Sequence, residues 1–263
     1  MGWFETIILG IVQGLTEFVP VSSSGHLVIV PALFGWKDPS LTFDLVLHLG
    51  TLIAVVIVFR SDLWLLAEGL VGRGEDPRGA RRTIGLLAIG SVPAAVVGLA
   101  FGSFFEKRFE DPVTAALLLY VTAAILLGAE WVIRRGEGRE PVDVRRSVLI
   151  GAAQAAAILP GISRSGSTIA AGLVQNVSRE SATRFSFLLS IPVIAGAVAT
   201  KVPDVANGQF KVTGPVIAGF FTALVVGWIA IEWLLRYVRS HSFVVFSVYL
   251  VIFATISLVI LEL

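Results

Sequence analysis

The sequence predicts an all-α polytopic membrane protein with six transmembrane helices and two re-entrant helix–loop–helix elements, arranged as an inverted-topology repeat. Three observations predict it. The 263 residues are 56% hydrophobic and 15% charged, with a mean hydropathy of +0.86, whereas a soluble domain is about 45–50% apolar and about 25% charged. Six uninterrupted apolar runs are each long enough to cross about 30 Å of hydrocarbon. Two further apolar regions are interrupted at their centres by polar blocks that resemble each other.

The first element, Trp3–Phe34, is broken by VPVSSSGH. Crossings over Leu41–Phe59, Thr83–Phe101 and Val113–Ile133 follow. The second broken region, Ser147–Val177, is interrupted by LPGISRSGS, and crossings over Ala182–Thr200, Val212–Leu235 and Phe243–Leu261 complete the chain. Lipid offers no partner to exposed backbone, so a break at membrane depth must be buried in protein or border a wet cavity. A re-entrant element, entering and leaving on one side, meets that demand. Gln13 precedes Gly25 by twelve residues, and Gln154 precedes Gly166 by the same twelve. Pro20 with SSSG is answered by Pro160 with SRSG. Three crossings follow each break, and an odd number turns the second copy upside down. The chain thus reads as one transmembrane domain with repeats at 1–133 and 134–263.

The charges agree with this topology. If neither broken region crosses, segments 60–82, 134–147, 177–184 and 235–242 share one side and hold fourteen arginines, Arg134, Arg135 and Arg139 among them. The other side receives only Lys37, Lys107, Arg108, Lys201 and Lys211. The positive-inside rule makes the arginine-rich side cytoplasmic. Both termini then lie outside, with the first re-entrant entering from the outer face and the second from the cytoplasmic face. Glu5, with no Lys or Arg ahead of the first apolar run, argues against a cleaved signal peptide. No cysteine is present, which excludes disulfides and thiolate metal sites. A net charge of +1 gives no reason to expect nucleic acid as a partner.

The chemistry concentrates at the two breaks. Gln13 and Glu17 are four apart and share a helix face, and an ionisable group at this depth marks a functional site; the plainer role is to pin the loop. Ser22, Ser23, Ser24 and Gly25 precede a helix starting near His26. Ser163, Ser165, Gly166 and Thr168 belong to the block before the helix IAAGLV. Serines at a helix start supply hydroxyls and free N–H groups, either as ordinary caps or, with the helix dipole, as an anion site. Two such starts facing each other would cradle a diphosphate. Arg164 is too costly in a membrane to be idle, and its planar fork suits phosphate; pairing with Glu17 is the alternative. His26 is a candidate general acid, base or nucleophile. Asp44 and His48 read as a polar helix end near the interface. Glu130 and Glu232, near span ends, and His241, in a loop, need no special role.

At QGLTEFVPVSSSGH, PGISRSGST and RFSFLLSIP (Arg184–Pro192) the chain resembles the bacitracin-resistance type of undecaprenyl-diphosphate phosphatase over essentially its whole length. That resemblance implies a multi-pass enzyme of the bacterial cytoplasmic membrane, with its active site facing the periplasm or cell exterior. Its substrate would be a polyisoprenyl diphosphate lipid, from which one phosphate is removed in cell-wall synthesis; a homodimer is compatible with this reading. The family's paired acidic motif falls on Gln13 and Glu17, its histidine on His26, its serine on Ser23 and its arginine on Arg164. A divalent cation, Mg or Ca, at Gln13 and Glu17 is implied by the resemblance alone. The family often has glutamate where this chain has Gln13, which leaves one carboxylate there.

Two other functions fit the sequence less well. The phosphatidic-acid type of membrane phosphatase needs a lysine-rich motif before SGH and a second histidine soon after SR. Here no lysine precedes Gly25-His26, and the next histidine after Arg164 is His241. Inverted repeats with broken helices also suit a lipid flippase or secondary transporter, although a carrier has no need of histidine and serine gathered around one phosphate.

Overall fold

The computed structural model describes residues 1–37, 39–106, 111–133, 140–207 and 210–262. Among them all regular structure is helical. The helices are α1 (Trp3–Thr16), α2 (Ser23–Phe34), α3 (Leu41–Val58), α4 (Arg60–Leu70), α5 (Pro77–Glu106), α6 (Pro112–Ile133), α7 (Val144–Ala156), α8 (Arg164–Val174), α9 (Arg179–Ala206), α10 (Gly214–Tyr237) and α11 (Val244–Leu261). Six of these, α3, α5, α6, α9, α10 and α11, contain stretches long and apolar enough to cross a membrane. They coincide with the six expected runs to within a few residues. The chain is a multi-pass membrane protein.

The paired short helices fall where the two breaks divide the remaining apolar regions. At 14 and 12 residues, α1 and α2 span only about 21 and 18 Å. α7 and α8, at 13 and 11 residues, are shorter still. α2 starts at Ser23 rather than near His26, and α8 at Arg164 rather than at IAAGLV. The Ser22 and Ser163 hydroxyls accept from Gly25 N and Gly166 N, so the residues after each cap are drawn into a first helical turn. Helix α4 occupies the start of segment 60–82, between two of the expected crossings. Its Leu, Ala and Glu favour helix, and Trp64 and Leu65 stay exposed, as on a helix lying along an interface.

Small residues set the closest helix contacts, as is usual where lipid gives no hydrophobic drive. α1 and α3 pack on α10, α7 and α9 on α5, and α6 on α11. A Cβ on Gly10 or Gly14 would strike the α10 backbone, and one on Gly151 would strike Gly90 of α5. One end of the bundle is tied by charge. Arg184 Nη2 meets Asp62 Oδ1 at 2.5 Å, and Arg239 Nη2 meets Glu180 Oε1 at 3.1 Å. Glu130, expected to have no special role, is buried there, holding Arg179 through both oxygens at 3.1 and 2.6 Å and accepting from Phe243 N at 2.8 Å. The segments 60–82, 177–184 and 235–242 therefore meet at one end. Arg134, Arg135, Arg139, Lys107 and Arg108 lie outside the described residues.

Candidate active site

The two breaks touch each other. Gly161 has φ +96°, which L side chains rarely adopt, and a Cβ there would collide with the Ala115 carbonyl of α6. A Cβ on Gly25 would stand 3.0 Å from Gly161 Cα. Thr122 of α6 clamps the second break, donating to Gly161 O at 2.8 Å and accepting from Ser163 N at 3.0 Å. Ser165 Oγ donates across the seam to Val19 O at 3.3 Å. In the first break Ser22 has φ +70°, a sparsely populated conformation of the kind that collects at functional sites.

Glu17 is the hub of this seam. It is 6% exposed, and its Oε1 accepts from Arg164 Nη2 at 2.5 Å. Its Oε2 accepts from Ser23 Oγ at 2.5 Å and Gln13 Nε2 at 3.0 Å, and His48 Nε2 stands 3.3 Å away. A buried carboxylate survives only with such company. Gln13 also reaches Thr51 Oγ1 at 3.3 Å, so the amide fixes Glu17 to α3. His48 Nδ1 lies 2.7 Å from the Asp44 carbonyl oxygen. A carbonyl only accepts, so Nδ1 carries the hydrogen and Nε2 is turned to Glu17. Ser23 thus has its hydroxyl aimed at a carboxylate that is itself held by a guanidinium, which is the arrangement of a base-activated nucleophile.

These groups face a cavity of about 510 Å³. Glu17, Ser22, Ser23, Ser24, Ser163, Arg164, Asp44, His48 and Gln154 give it polar lining, and Leu27, Leu99, Ile158, Ile162 and Val193 are among its apolar residues. A chamber of this kind suits an amphiphile with a highly charged head.

Several sequence-predicted residues stand off the cavity. His26 is 2% exposed, with Nδ1 2.8 Å from Ser22 O and Nε2 2.8 Å from Tyr249 OH. Its ring stacks on Phe253 at 4.4 Å. Both nitrogens are engaged behind the serine turn, which suits a residue that positions the turn. Thr168 donates to Arg164 O at 2.9 Å and meets Ser186 Oγ at 2.6 Å. Ser165, Gly25 and Gly166 serve the seam and the caps. Asp44 lies in the first turn of α3, at the expected polar helix end, but the plain role is too small: Asp44 and His48 border the cavity, and His48 touches Glu17. Their i, i+4 spacing inside an apolar span is the same signal that singled out Gln13 and Glu17. Thr122 and Tyr249 carried no sequence signal, since their roles depend on contacts 41 and 223 residues away.

A sequence profile described as "Bacitracin resistance protein BacA" matches residues 6–256. The chain belongs to the BacA family. Among its relatives, the "Undecaprenyl-diphosphatase" of Moorella thermoacetica is 42% identical, covering 96% of this chain and 95% of the relative. Proteins of the same name from Gemmatimonas aurantiaca and Desulfosudis oleivorans are 41% and 44% identical, each over 97% of this chain, covering 98% and 97% of those proteins.

The divalent cation implied by the BacA resemblance can be tested against these side chains. Gln13 and Glu17 do not form a cage, because Glu17 is already occupied by four partners. Among the described residues no three His, Asp or Glu side chains converge as a complete metal site. Asp44 Oδ1, however, is buried without a hydrogen-bond partner and borders the cavity. Asp44 thus offers a free carboxylate oxygen of the kind that Mg²⁺ takes together with phosphate oxygens beside a phosphorylated substrate.

Proposed function

We propose that this chain hydrolyses undecaprenyl diphosphate to undecaprenyl phosphate and inorganic phosphate, returning the lipid carrier to cell-wall synthesis. One observation carries the reading: the Ser23–Glu17–Arg164 contact lies in the polar lining of a cavity that also has apolar walls. The names of the relatives give the substrate class.

The chemistry follows from this chain's own groups. Arg164 and the N-terminal turns of α2 and α8 hold the terminal phosphoryl group. Ser23 Oγ attacks its phosphorus and passes its proton to Glu17. The bond to the bridging oxygen breaks, and the lipid monophosphate leaves. Water then attacks the phosphoseryl group, giving its proton to His48. The bond from phosphorus to Ser23 Oγ breaks, the Glu17 proton returns to Ser23, and His48 gives its proton to the departing inorganic phosphate. Glu17 keeps Arg164 in place throughout, so most of the catalytic effect is positioning and charge stabilisation. A divalent cation held by Asp44 and the substrate phosphates would supply further charge neutralisation.

The inverted repeat is supported by the packing. Exchange α1 with α7, α2 with α8, α3 with α9, α5 with α10 and α6 with α11, and the pairing of α1 with α10 becomes that of α7 with α5. The pairing of α3 with α10 likewise becomes that of α9 with α5, and α6 with α8 becomes α11 with α2. The short paired helices are then re-entrant elements, both termini lie outside the cytoplasm, and the site opens outward from the cytoplasmic membrane. The gathering of the described arginine-rich segments at one end favours that topology.

The deciding experiment is phosphate release from undecaprenyl diphosphate by purified protein in detergent, where transport has no meaning. Turnover that vanishes in Ser23→Ala supports the reading. A wild-type protein that releases nothing refutes it and leaves the flippase alternative.

A further inference from the structure

Gln154 is 1% exposed, yet neither its Nε2 nor its Oε1 has a hydrogen-bond partner. Its counterpart twelve residues before the other glycine, Gln13, is differently placed, with Nε2 donating to Glu17 and Thr51. The difference lies four residues downstream, where the first break has Glu17 and the second has Ile158. No carboxylate answers the second amide. Two unanswered polar atoms inside a membrane protein are a cost that folding alone does not recover. Gln154 also borders the cavity, with Ala157 and Ile158 of the same segment beside it.

We infer that Gln154 is a substrate-binding residue whose amide donates to the lipid-linked phosphate of the diphosphate, an assignment that rests on the functional reading above. With the terminal phosphorus at Ser23, the second phosphate must lie toward the apolar wall, because the isoprenoid chain is attached to it. Gln154 stands at that border: polar itself, and followed by Ala157 and Ile158. A neutral donor there grips the intact diphosphate without the hold that a second guanidinium would keep on the departing lipid monophosphate. The contact makes two phosphates bind better than one.

Purified wild type and Gln154→Leu separate the possibilities. The variant should raise KM for the lipid diphosphate about 10- to 100-fold, the loss expected for one hydrogen bond to a charged group, with a smaller change in kcat. Inorganic pyrophosphate should raise the melting temperature of wild type more than inorganic phosphate does. In the variant that excess should disappear while the effect of phosphate stays. Unchanged KM and unchanged pyrophosphate stabilisation would overturn the assignment, and so would equal losses for pyrophosphate and phosphate. The unliganded variant should melt no lower than wild type, since leucine removes two unpaired polar atoms. Failure of both Gln154→Leu and Gln154→Met to fold would mark the residue as structural and overturn the proposal. The melting measurements need no turnover, so they judge Gln154 even where wild type proves inactive.

Discussion

Arg164 and Glu17 are 147 residues apart in sequence, and their side chains meet at 2.5 Å. The contact joins the two breaks and makes each half of the chain necessary to the other half's chemistry. Because Glu17 also accepts from Ser23, the same carboxylate holds the guanidinium and the hydroxyl.

Glu17→Gln should lower turnover by about 10²–10⁴-fold, the range of a lost general base. The amide keeps the shape of the carboxylate but takes no proton from Ser23. Retained folded yield beside lost phosphate release is the expected outcome; loss of both would make Glu17 a structural pin.

Arg164→Lys should be nearly as inactive as Arg164→Ala. Lysine keeps the charge and loses the planar fork that serves Glu17 and phosphate together. Near-normal kcat/KM in the lysine variant would reduce Arg164 to a point charge.

His48→Gln tests the residue that the structure brought to the site. Glutamine reaches Glu17 but is a poor proton carrier, so a fall of about 10²-fold or more in kcat is expected, with KM changed little. A kcat within twofold of wild type would restore the plainer role of a polar helix end.

His26→Gln should leave measurable turnover, and Tyr249→Phe should produce a milder form of the same loss. Both remove support from the Ser22 turn, and the shared Nε2–OH contact is worth about 1 kcal/mol. Complete inactivity of His26→Gln beside a fully active Tyr249→Phe would return His26 to the reaction itself.

Orientation is open to direct measurement because the chain has no cysteine. Cysteine at Glu262 should react with an impermeant reagent in intact cells, and cysteine at Glu75 only after permeabilisation. The reverse pattern would place the arginine-rich end outside.

The six crossings were legible because each is a long run of apolar residues, and lipid leaves helix as the only way to pair their backbone. The breaks were legible because Pro20, Pro160 and the serine blocks interrupt such runs. Asp44 and His48 could be seen but not assigned, since nothing local shows that α3 presents them to the cavity. Helix α4 was hidden by its arginine at the start and its place in a charged segment. The departure of His26 from the cavity was not legible at all, because Tyr249 and Phe253 approach from the far end of the chain.

The bare meeting of Gly25 with Gly161 also bears on motion. A carrier built on this plan must slide one half along the other to open its two faces in turn. Here such a slide would have to part a backbone seam with no side chain to act as a bearing. It would also have to rupture the Glu17–Arg164 pair and the Ser165–Val19 bond in the same movement. The halves are joined where a transporter would be hinged, and the seam opposes the motion that alternating access requires.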